Sequence, residues 1–283
     1  MDHVMLPRTF LLLLLISRFT TAAEKTASSP AIYPFQNGLR FSSVDESIRV
    51  IKDLGYQGVG SIYPKDLAAY KNACDMEKIK VFSIYTGGIV NSDGFTYEKD
   101  ASTAIELLKG TDALVELNAQ SGNMPNEIQA VALVKDVAQK AKAAGLKVVL
   151  YPHSKFYIER LDQAVKIARA SGCDNVGVAF NLCHFLKVQP NDDLATSLDD
   201  AKDLIWSVSI CGADTAGNDW NTLIRPLDEG TFDQNKLLQH LQEIRYPGPI
   251  GLQCFNIKID PQQNLARSMT AWRKLHSPGA AER

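Results

Sequence analysis

The chain has 283 residues, of which 45% are hydrophobic and 22% are charged, and these values allow a sizeable folded core. The formal net charge is −2 at pH 7, and the charged residues form no run of like sign. This balance argues against a protein that binds nucleic acid or an anionic membrane surface.

The N-terminus has the three parts of a secretory signal peptide. Arg8 precedes the apolar run from Phe10 to Ile16, and Thr21-Ala22-Ala23 places small residues at the −3 and −1 positions before Glu24. A membrane anchor is the alternative, but this run is much shorter than the ~20 apolar residues of a spanning helix. We therefore predict export to the periplasm or the extracellular space, with cleavage before Glu24 and no stable membrane insertion.

Three segments are predicted along the chain. Residues 1–23 form the signal peptide, residues 24–30 form a small polar tether, and residues 31–283 form one folded domain. No other low-complexity linker interrupts the sequence. A second domain is therefore not expected.

After the tether, strand-like and helix-like segments alternate. The strand-like runs are residues 31–36, 58–62, 80–85, 113–117, 146–150, 176–180, 205–210 and 250–254. The segments with helical apolar spacing are residues 44–54, 67–76, 97–108, 126–144, 157–170, 194–204, 232–244 and 264–275. The strand-like runs are short and largely apolar, which is typical of a parallel sheet that is buried on both faces.

This alternation allows either a doubly wound sheet or a closed barrel. Removing the first 23 residues from 283 leaves 260, close to the ~250 of one (β/α)₈ barrel. No GxGxxG motif follows the first strand, so a dinucleotide-binding sheet has little support. The predicted fold class is therefore α/β, with a single (β/α)₈ TIM barrel after a cleaved signal peptide.

The five cysteines argue against a disulfide framework or a zinc ribbon. Their number is odd, and no pair has CxxC spacing. We predict that they are small buried packing residues.

In a barrel, the active site lies where the strands end at their carboxyl side. Those ends carry a ring of hydroxyl, amide and imidazole groups: Asn37, Tyr63, Tyr85, Thr86, Glu116, Asn118, Tyr151, His153, Asn181, His184, Ser209, Asp214, Gln253 and Asn256. Aromatic and amide side chains together suit a polyhydroxylated ligand such as a sugar. The predicted substrate-binding residues are Tyr85, Glu116, Asn118, Tyr151, Asn181 and Gln253.

Two histidines follow neighbouring predicted strands and are the predicted catalytic residues. His153 comes two residues after Tyr151, and His184 comes three residues after Asn181. An imidazole can act as a general acid or base near neutral pH, because its unperturbed pKa is about 6.5. A structural, hydrogen-bonded histidine is the alternative at each position.

Five segments of the chain together resemble one known family. They are ESIRVIKDLGYQGVG, GLKVVLYPH, NVGVAFNLCH, PLDEGTFD and YPGPIGLQCF, in that order. They resemble the xylose-isomerase-like barrel family, which contains sugar isomerases and epimerases, lyases and dehydratases of sugar-like substrates, and apurinic endonucleases. By this resemblance His184 stands where the family often has a histidine that contacts substrate. The family often dimerises, so a homodimer is an expectation from the resemblance alone.

The resemblance also implies a divalent metal held by two glutamates, an aspartate and a histidine at the ends of the last four strands. In this sequence those positions fall on Tyr151, Asn181, Ser209 and Gln253. Mg²⁺ and Mn²⁺ sites depend on carboxylate oxygens, so we expect weak metal binding or none and no cofactor. A softer cation would have Asn181, His153, His184 and Glu116 as its candidate ligands.

Two functions from different classes remain open at this point. The first is an exported isomerase or epimerase of an unphosphorylated sugar or keto-sugar, or a related lyase or hydratase, working by proton transfer next to a carbonyl. The second is a degenerate barrel that binds a carbohydrate without converting it. In both, the partner is a small carbohydrate.

Overall fold

The structure, a computed structural model, describes Met1 and residues 30–277. The predicted signal peptide (Met1 apart), most of the tether and residues 278–283 lie outside the described residues. None of the helices in the described part combines the length and the apolar composition of a membrane-spanning segment. All five cysteines lie in this part and are free thiols, four of them buried and Cys173 half-buried.

The described residues contain ten strands and ten α-helices. The strands are β1 (Ile32–Pro34), β2 (Gly58–Val59), β3 (Lys80–Val81), β4 (Ser83–Val90), β5 (Phe95–Tyr97), β6 (Leu114–Ser121), β7 (Lys147–Leu150), β8 (Val176–Asn181), β9 (Ile205–Ile210) and β10 (Ile250–Leu252). The helices are α1 (Val44–Asp53), α2 (Leu67–Glu77), α3 (Ala101–Leu107), α4 (Glu127–Ala143), α5 (Leu161–Ser171), α6 (Leu182–Val188), α7 (Leu194–Ala201), α8 (Trp220–Leu223), α9 (Gln234–Glu243) and α10 (Pro261–Leu275).

The strands close into a barrel. Strands β1, β10, β9, β8, β7, β6 and β4 pair side by side in that order, and every pair is parallel. The gap between β1 and β4 is filled by β2, which pairs with β3 and is bridged to both neighbours through Phe35–Gly60 and Ile62–Ile84. Counting β3 and β4 as one position gives eight barrel positions, so the predicted TIM barrel is confirmed.

Helix α4 shows how the sequence defines an outer element. The side chain of Asn126 caps its N-terminus by accepting a hydrogen bond from the backbone N–H of Gln129. Leu133 and Val137 recur at helical spacing and are buried against the barrel. Gly145, with φ of 76°, follows the helix in the left-handed conformation that favours glycine.

Large aromatic side chains fill the barrel interior. Tyr33, Phe35 and Tyr151 belong to a buried cluster that is separate from the larger apolar core between the strands and the helices. Two glycines, Gly60 after β2 and Gly251 on β10, lie on either side of β1 and make room for these rings. A Cβ atom on Gly60 would lie 2.3 Å from the Tyr33 ring, and one on Gly251 would lie 2.4 Å from Phe35.

The structure differs from the sequence prediction mainly at the carboxyl ends of the strands. Strands β4 and β6 continue together to Val90 and Ser121, beyond their predicted ends, because each supplies the other with hydrogen bonds. Residues 95–97 form β5, antiparallel to the end of β4, so α3 begins at Ala101 instead of residue 97. The short helix α6 follows β8 directly and was not predicted.

Candidate active site

The predicted tyrosines and histidines meet inside the barrel mouth, with Tyr85 within β4 and the others at or after the carboxyl ends of β7 and β8. The rings of Tyr85 and Tyr151 pack edge to face with centroids 5.2 Å apart, and Tyr151 packs edge to face on His184 at 5.9 Å. The two imidazoles of His153 and His184 lie 4.2 Å apart, centroid to centroid. The two predicted catalytic residues are therefore direct neighbours, as the adjacent strand ends indicated.

The backbone groups of one residue, Ser154, hydrogen-bond to both imidazoles. The Nδ1–H group of His153 donates to the carbonyl oxygen of Ser154 at 2.9 Å, since a carbonyl oxygen can only accept. The backbone N–H of Ser154 donates to Nδ1 of His184 at 3.3 Å. In the neutral state His153 therefore presents an Nε2 lone pair, while His184 carries its proton on Nε2. The two rings have opposite tautomers.

Burial keeps both imidazoles neutral. The pKa of His153 is lowered by burial, which outweighs the opposing effect of its hydrogen bond to Ser154. The pKa of His184 lies well below its ordinary value, first because the ring is buried and second because His153 is close. Near pH 7 the pair therefore contains one nitrogen that can accept a proton, on His153, and one N–H group that can donate a hydrogen bond, on His184.

Tyr151 and Asn181 form the base of the site. The amide nitrogen of Asn181 donates to the hydroxyl oxygen of Tyr151, and its amide oxygen accepts from the thiol of Cys183 at 3.0 Å. The same oxygen accepts the backbone N–H of His184 at 3.4 Å and thereby caps helix α6. Burial raises the pKa of Tyr151 well above its ordinary value, so the phenol stays protonated.

Two aromatic residues of the site were missed by sequence reasoning. Phe156 stacks on His153 with centroids 4.0 Å apart, and Trp220 packs edge to face on His184 at 5.3 Å. Both lie in or after loops beyond the strand ends, and their positions in the sequence carried no spacing signal. Together they enclose the imidazole pair with apolar walls.

Asn118 and Gln253, two further predicted substrate-binding residues, each have a side-chain atom engaged by the protein. Asn118 donates to the carbonyl oxygen of Thr86 at 2.8 Å. The amide oxygen of Gln253 accepts the backbone N–H of Phe255 at 3.0 Å. Substrate contact by Asn118 and Gln253 stays a prediction.

Glu116 lies deeper in the barrel than the histidines. The Glu116 side chain is fully buried, and one of its carboxyl oxygens accepts a hydrogen bond from the hydroxyl of Ser83 at 2.9 Å. It pairs in register with Tyr85 on β4 and with Val149 on β7. Burial raises the pKa of this carboxyl to about 7. Its contact with substrate also stays a prediction.

The sequence profile of one family, described as the xylose isomerase-like TIM barrel, matches residues 48–275. This stretch covers most of the chain. The chain belongs to the xylose isomerase-like TIM barrel family. Among curated proteins, no sequence matches it.

Solved structures share the fold at low sequence identity. The chain is similar to the apo form of the 3-keto-D-glucoside 4-epimerase YcjR from E. coli, with a TM-score of 0.67 and 20% identity over 86% of this chain and 98% of that chain. It is similar to the IOLI protein with a bound zinc atom, with a TM-score of 0.69 and 15% identity over 87% and 97% of the two chains. A D-allulose 3-epimerase from Methylomonas sp. has a TM-score of 0.66 and 13% identity over 87% and 98%.

The metal that the family resemblance implies does not fit the donors of this chain. All four positions, Tyr151, Asn181, Ser209 and Gln253, carry neutral side chains, and both amide oxygens already accept hydrogen bonds. Across residues 30–277, no group of three or more histidine, cysteine, aspartate or glutamate side chains is arranged to hold a metal ion. Hard divalent cations require carboxylate oxygens, and none of these four residues supplies one.

Proposed function

We propose that this chain is an exported enzyme that acts on an unphosphorylated sugar or keto-sugar by proton transfer at a carbon next to a carbonyl. Isomerisation and epimerisation both begin with this step, and a lyase or hydratase reaction is a variant of it. The observation that carries the proposal is the pair of adjacent imidazoles, His153 and His184, held in opposite tautomers by Ser154.

The geometry supports a specific division of labour between the two histidines. Nε2 of His153 accepts the proton from the substrate carbon, so that the C–H bond breaks and an N–H bond forms. The electron pair moves to the carbonyl oxygen, which the Nε2–H group of His184 stabilises by hydrogen bonding. Return of a proton from solvent to the opposite face of the same carbon re-forms the carbonyl and gives an epimer. In an α-hydroxy carbonyl sugar, protonation of the former carbonyl carbon, with loss of the proton of the neighbouring hydroxyl, gives an isomer.

The surroundings of the pair support a carbohydrate as the substrate. Aromatic faces from Tyr85, Phe156 and Trp220 pack around the histidines and their tyrosine neighbour, and sugar rings stack on such faces through their C–H groups. Two of the similar structures are epimerases, and in the 3-keto-D-glucoside 4-epimerase the inverted carbon is next to the keto carbon. The predicted signal peptide favours an unphosphorylated substrate, because sugar phosphates are mostly cytoplasmic.

A second candidate function is carbohydrate binding without conversion. It is favoured by the four neutral residues that stand where the family resemblance places metal ligands. It leaves unexplained why two neutral histidines should be buried side by side in opposite tautomers, since a binding surface needs only hydrogen-bonding groups.

Proton exchange in D₂O distinguishes the two functions. The mature chain is incubated with a panel of aldoses, ketoses and 3-keto-sugars, and ¹H NMR follows the loss of individual C–H signals. We expect deuterium at a carbon next to the carbonyl with the wild type, and at least a 100-fold slower exchange with His153→Ala. The matched control is His276→Ala, since that ring contacts Trp272 on α10. Binding of these sugars without exchange would refute the enzyme and favour the binding protein.

A further inference from the structure

We infer that two neutral hydrogen-bond donors, the hydroxyl of Tyr151 and the Nε2–H of His184, replace the divalent metal implied by the family resemblance, so that the site works without metal. This inference rests on the proposed function for the reaction it serves. Its metal-binding part can be tested with the protein alone.

The orientation of the Asn181 amide fixes the role of the Tyr151 hydroxyl. The backbone N–H of His184 can only donate, so the atom of Asn181 that faces it is the amide oxygen. The amide nitrogen therefore faces Tyr151 and donates to its hydroxyl oxygen. The phenolic proton is not used in this bond, and the Tyr151 hydroxyl makes no second hydrogen bond within residues 30–277. Tyr151 is thus prepared to donate to a substrate oxygen.

His184 supplies the second donor through the same strand end. Its Nδ1 is occupied as an acceptor by the N–H of Ser154, so the proton is on Nε2. Its ring packs edge to face on Tyr151 with centroids 5.9 Å apart, close enough for both residues to reach one substrate oxygen. Both rings are almost completely buried, and hydrogen bonds to a developing oxyanion are strong in such surroundings.

The neutral residues that stand where the family resemblance places metal ligands are consistent with hydrogen-bond donors taking over the role of the metal. A metal would stabilise the oxyanion through its positive charge, which requires anionic ligands to hold it. Neutral Tyr151, Asn181, Ser209 and Gln253 do not hold a dication, but hydrogen-bond donors need no such charge. Asn181 keeps the shape of the expected aspartate and uses its added N–H to orient Tyr151.

Metal titration tests the first part of the inference. Mn²⁺ and Zn²⁺ are titrated by calorimetry into metal-free wild type and into the restored variant Tyr151→Glu/Asn181→Asp/Ser209→His/Gln253→Glu. The isosteric pair Asn181→Asp/Gln253→Glu is the fallback if the restored variant does not fold. A charge-matched control, Gln129→Glu/Gln242→Glu/Gln263→Glu, adds three carboxylates on outer helices.

We expect no saturable metal binding by the wild type or by the charge-matched control. The restored variant should bind Mn²⁺ at least 10-fold more tightly than the wild type. If the restored variant does not fold, the same gain is expected in the isosteric pair. One equivalent of Mn²⁺ or Zn²⁺ bound by the wild type with a Kd of about 1 μM would overturn the inference. So would the absence of any gain in the folded variants.

Proton exchange tests the second part. Exhaustive chelation should leave the exchange rate of the wild type unchanged within a factor of two. Tyr151→Phe should lower that rate about 100- to 1,000-fold, whereas Tyr157→Phe should not. Loss of exchange on chelation, restored by Mn²⁺, would overturn the inference. Absence of exchange with every sugar would refute the proposed function instead, and the titration would still decide the question of metal binding.

Discussion

Replacing Glu116 by glutamine should make the protein more stable above neutral pH. The Glu116 side chain is fully buried in the barrel, where the Ser83 hydroxyl donates to one of its oxygens at 2.9 Å. The hydroxyls of Ser61 and Ser83 favour the charged carboxylate, but they offset the effect of burial only in part. Burial therefore raises the carboxyl pKa from 4.5 to about 7. Glutamine has nearly the same shape and carries no charge at any pH in this range.

The direction of the effect follows from the two pKa values. Below pH 4.5 both the folded and the unfolded chain keep the proton, so this carboxyl adds no pH dependence. Between pH 4.5 and about 7 the unfolded chain releases the proton while the folded chain retains it, so folding stability falls as pH rises. One pKa unit corresponds to about 1.4 kcal/mol, so the full loss above pH 7 is about 3 kcal/mol.

Urea denaturation followed by circular dichroism, at pH values from 4.5 to 8, measures this difference. We expect Glu116→Gln to match the wild type within about 1 kcal/mol at pH 4.5 and to exceed its unfolding free energy by about 3 kcal/mol at pH 8. Because other titrating groups are common to both proteins, their contributions cancel in the comparison. Parallel stability curves for the two proteins across this range would refute a raised pKa at Glu116.

Three further predictions concern the reaction, the packing and the export of the chain. Burial lowers the pKa of His153 below its ordinary 6.5, so the rate of sugar C–H exchange should stay constant from pH 8 down to about 6.5 and fall in more acidic solution. A midpoint above pH 6.5 in the pH–rate profile would contradict this. Gly60→Ala should destabilise the fold by about 1–3 kcal/mol in urea, because its Cβ would meet the Tyr33 ring at 2.3 Å. Gly94→Ala, with nothing within 4 Å, should change stability by less than about 0.5 kcal/mol. Mass spectrometry of protein exported by a bacterial host should show Glu24 as the first residue, and export with Met1 retained would contradict the cleavage.

The barrel could be predicted from the sequence because its strands and helices have distinct local patterns. Short apolar runs such as residues 176–180 are buried on both faces whatever their partners, so composition alone identifies them. Capped amphipathic helices such as α4 carry their boundaries in Asn126 and Gly145. These signals lie within a few residues of the elements that they define.

Features that depend on distant residues were not visible. Strand β5 forms because residues 95–97 pair with the free edge at the end of β4. A sequence pattern of three residues is too short to predict this pairing. The run from Leu182 to Val188 is mostly apolar and carries no helical spacing signal, and it becomes helix α6 because the side chain of Asn181 caps it. His184, predicted at a strand end, therefore lies in the first turn of a helix.

The proximity of the two histidines could be predicted from the sequence, but their tautomers could not. The positions of His153 and His184 after neighbouring strands indicated that they would lie close together. Their opposite tautomers depend on the N–H and C=O groups of Ser154, and a backbone group of any residue could have filled this role. The role of Asn181 as the donor to Tyr151 depends in the same way on a backbone N–H, that of His184.

The exchange of a sugar C–H proton with solvent, measured with metal-free protein, decides whether the histidine pair is catalytic. Wild-type protein in D₂O should place deuterium at a carbon next to the carbonyl of a keto-sugar, and His153→Ala should lower that rate at least 100-fold while His276→Ala leaves it unchanged. Equal exchange rates for the wild type and His153→Ala would contradict the role of His153 as the base that accepts this proton.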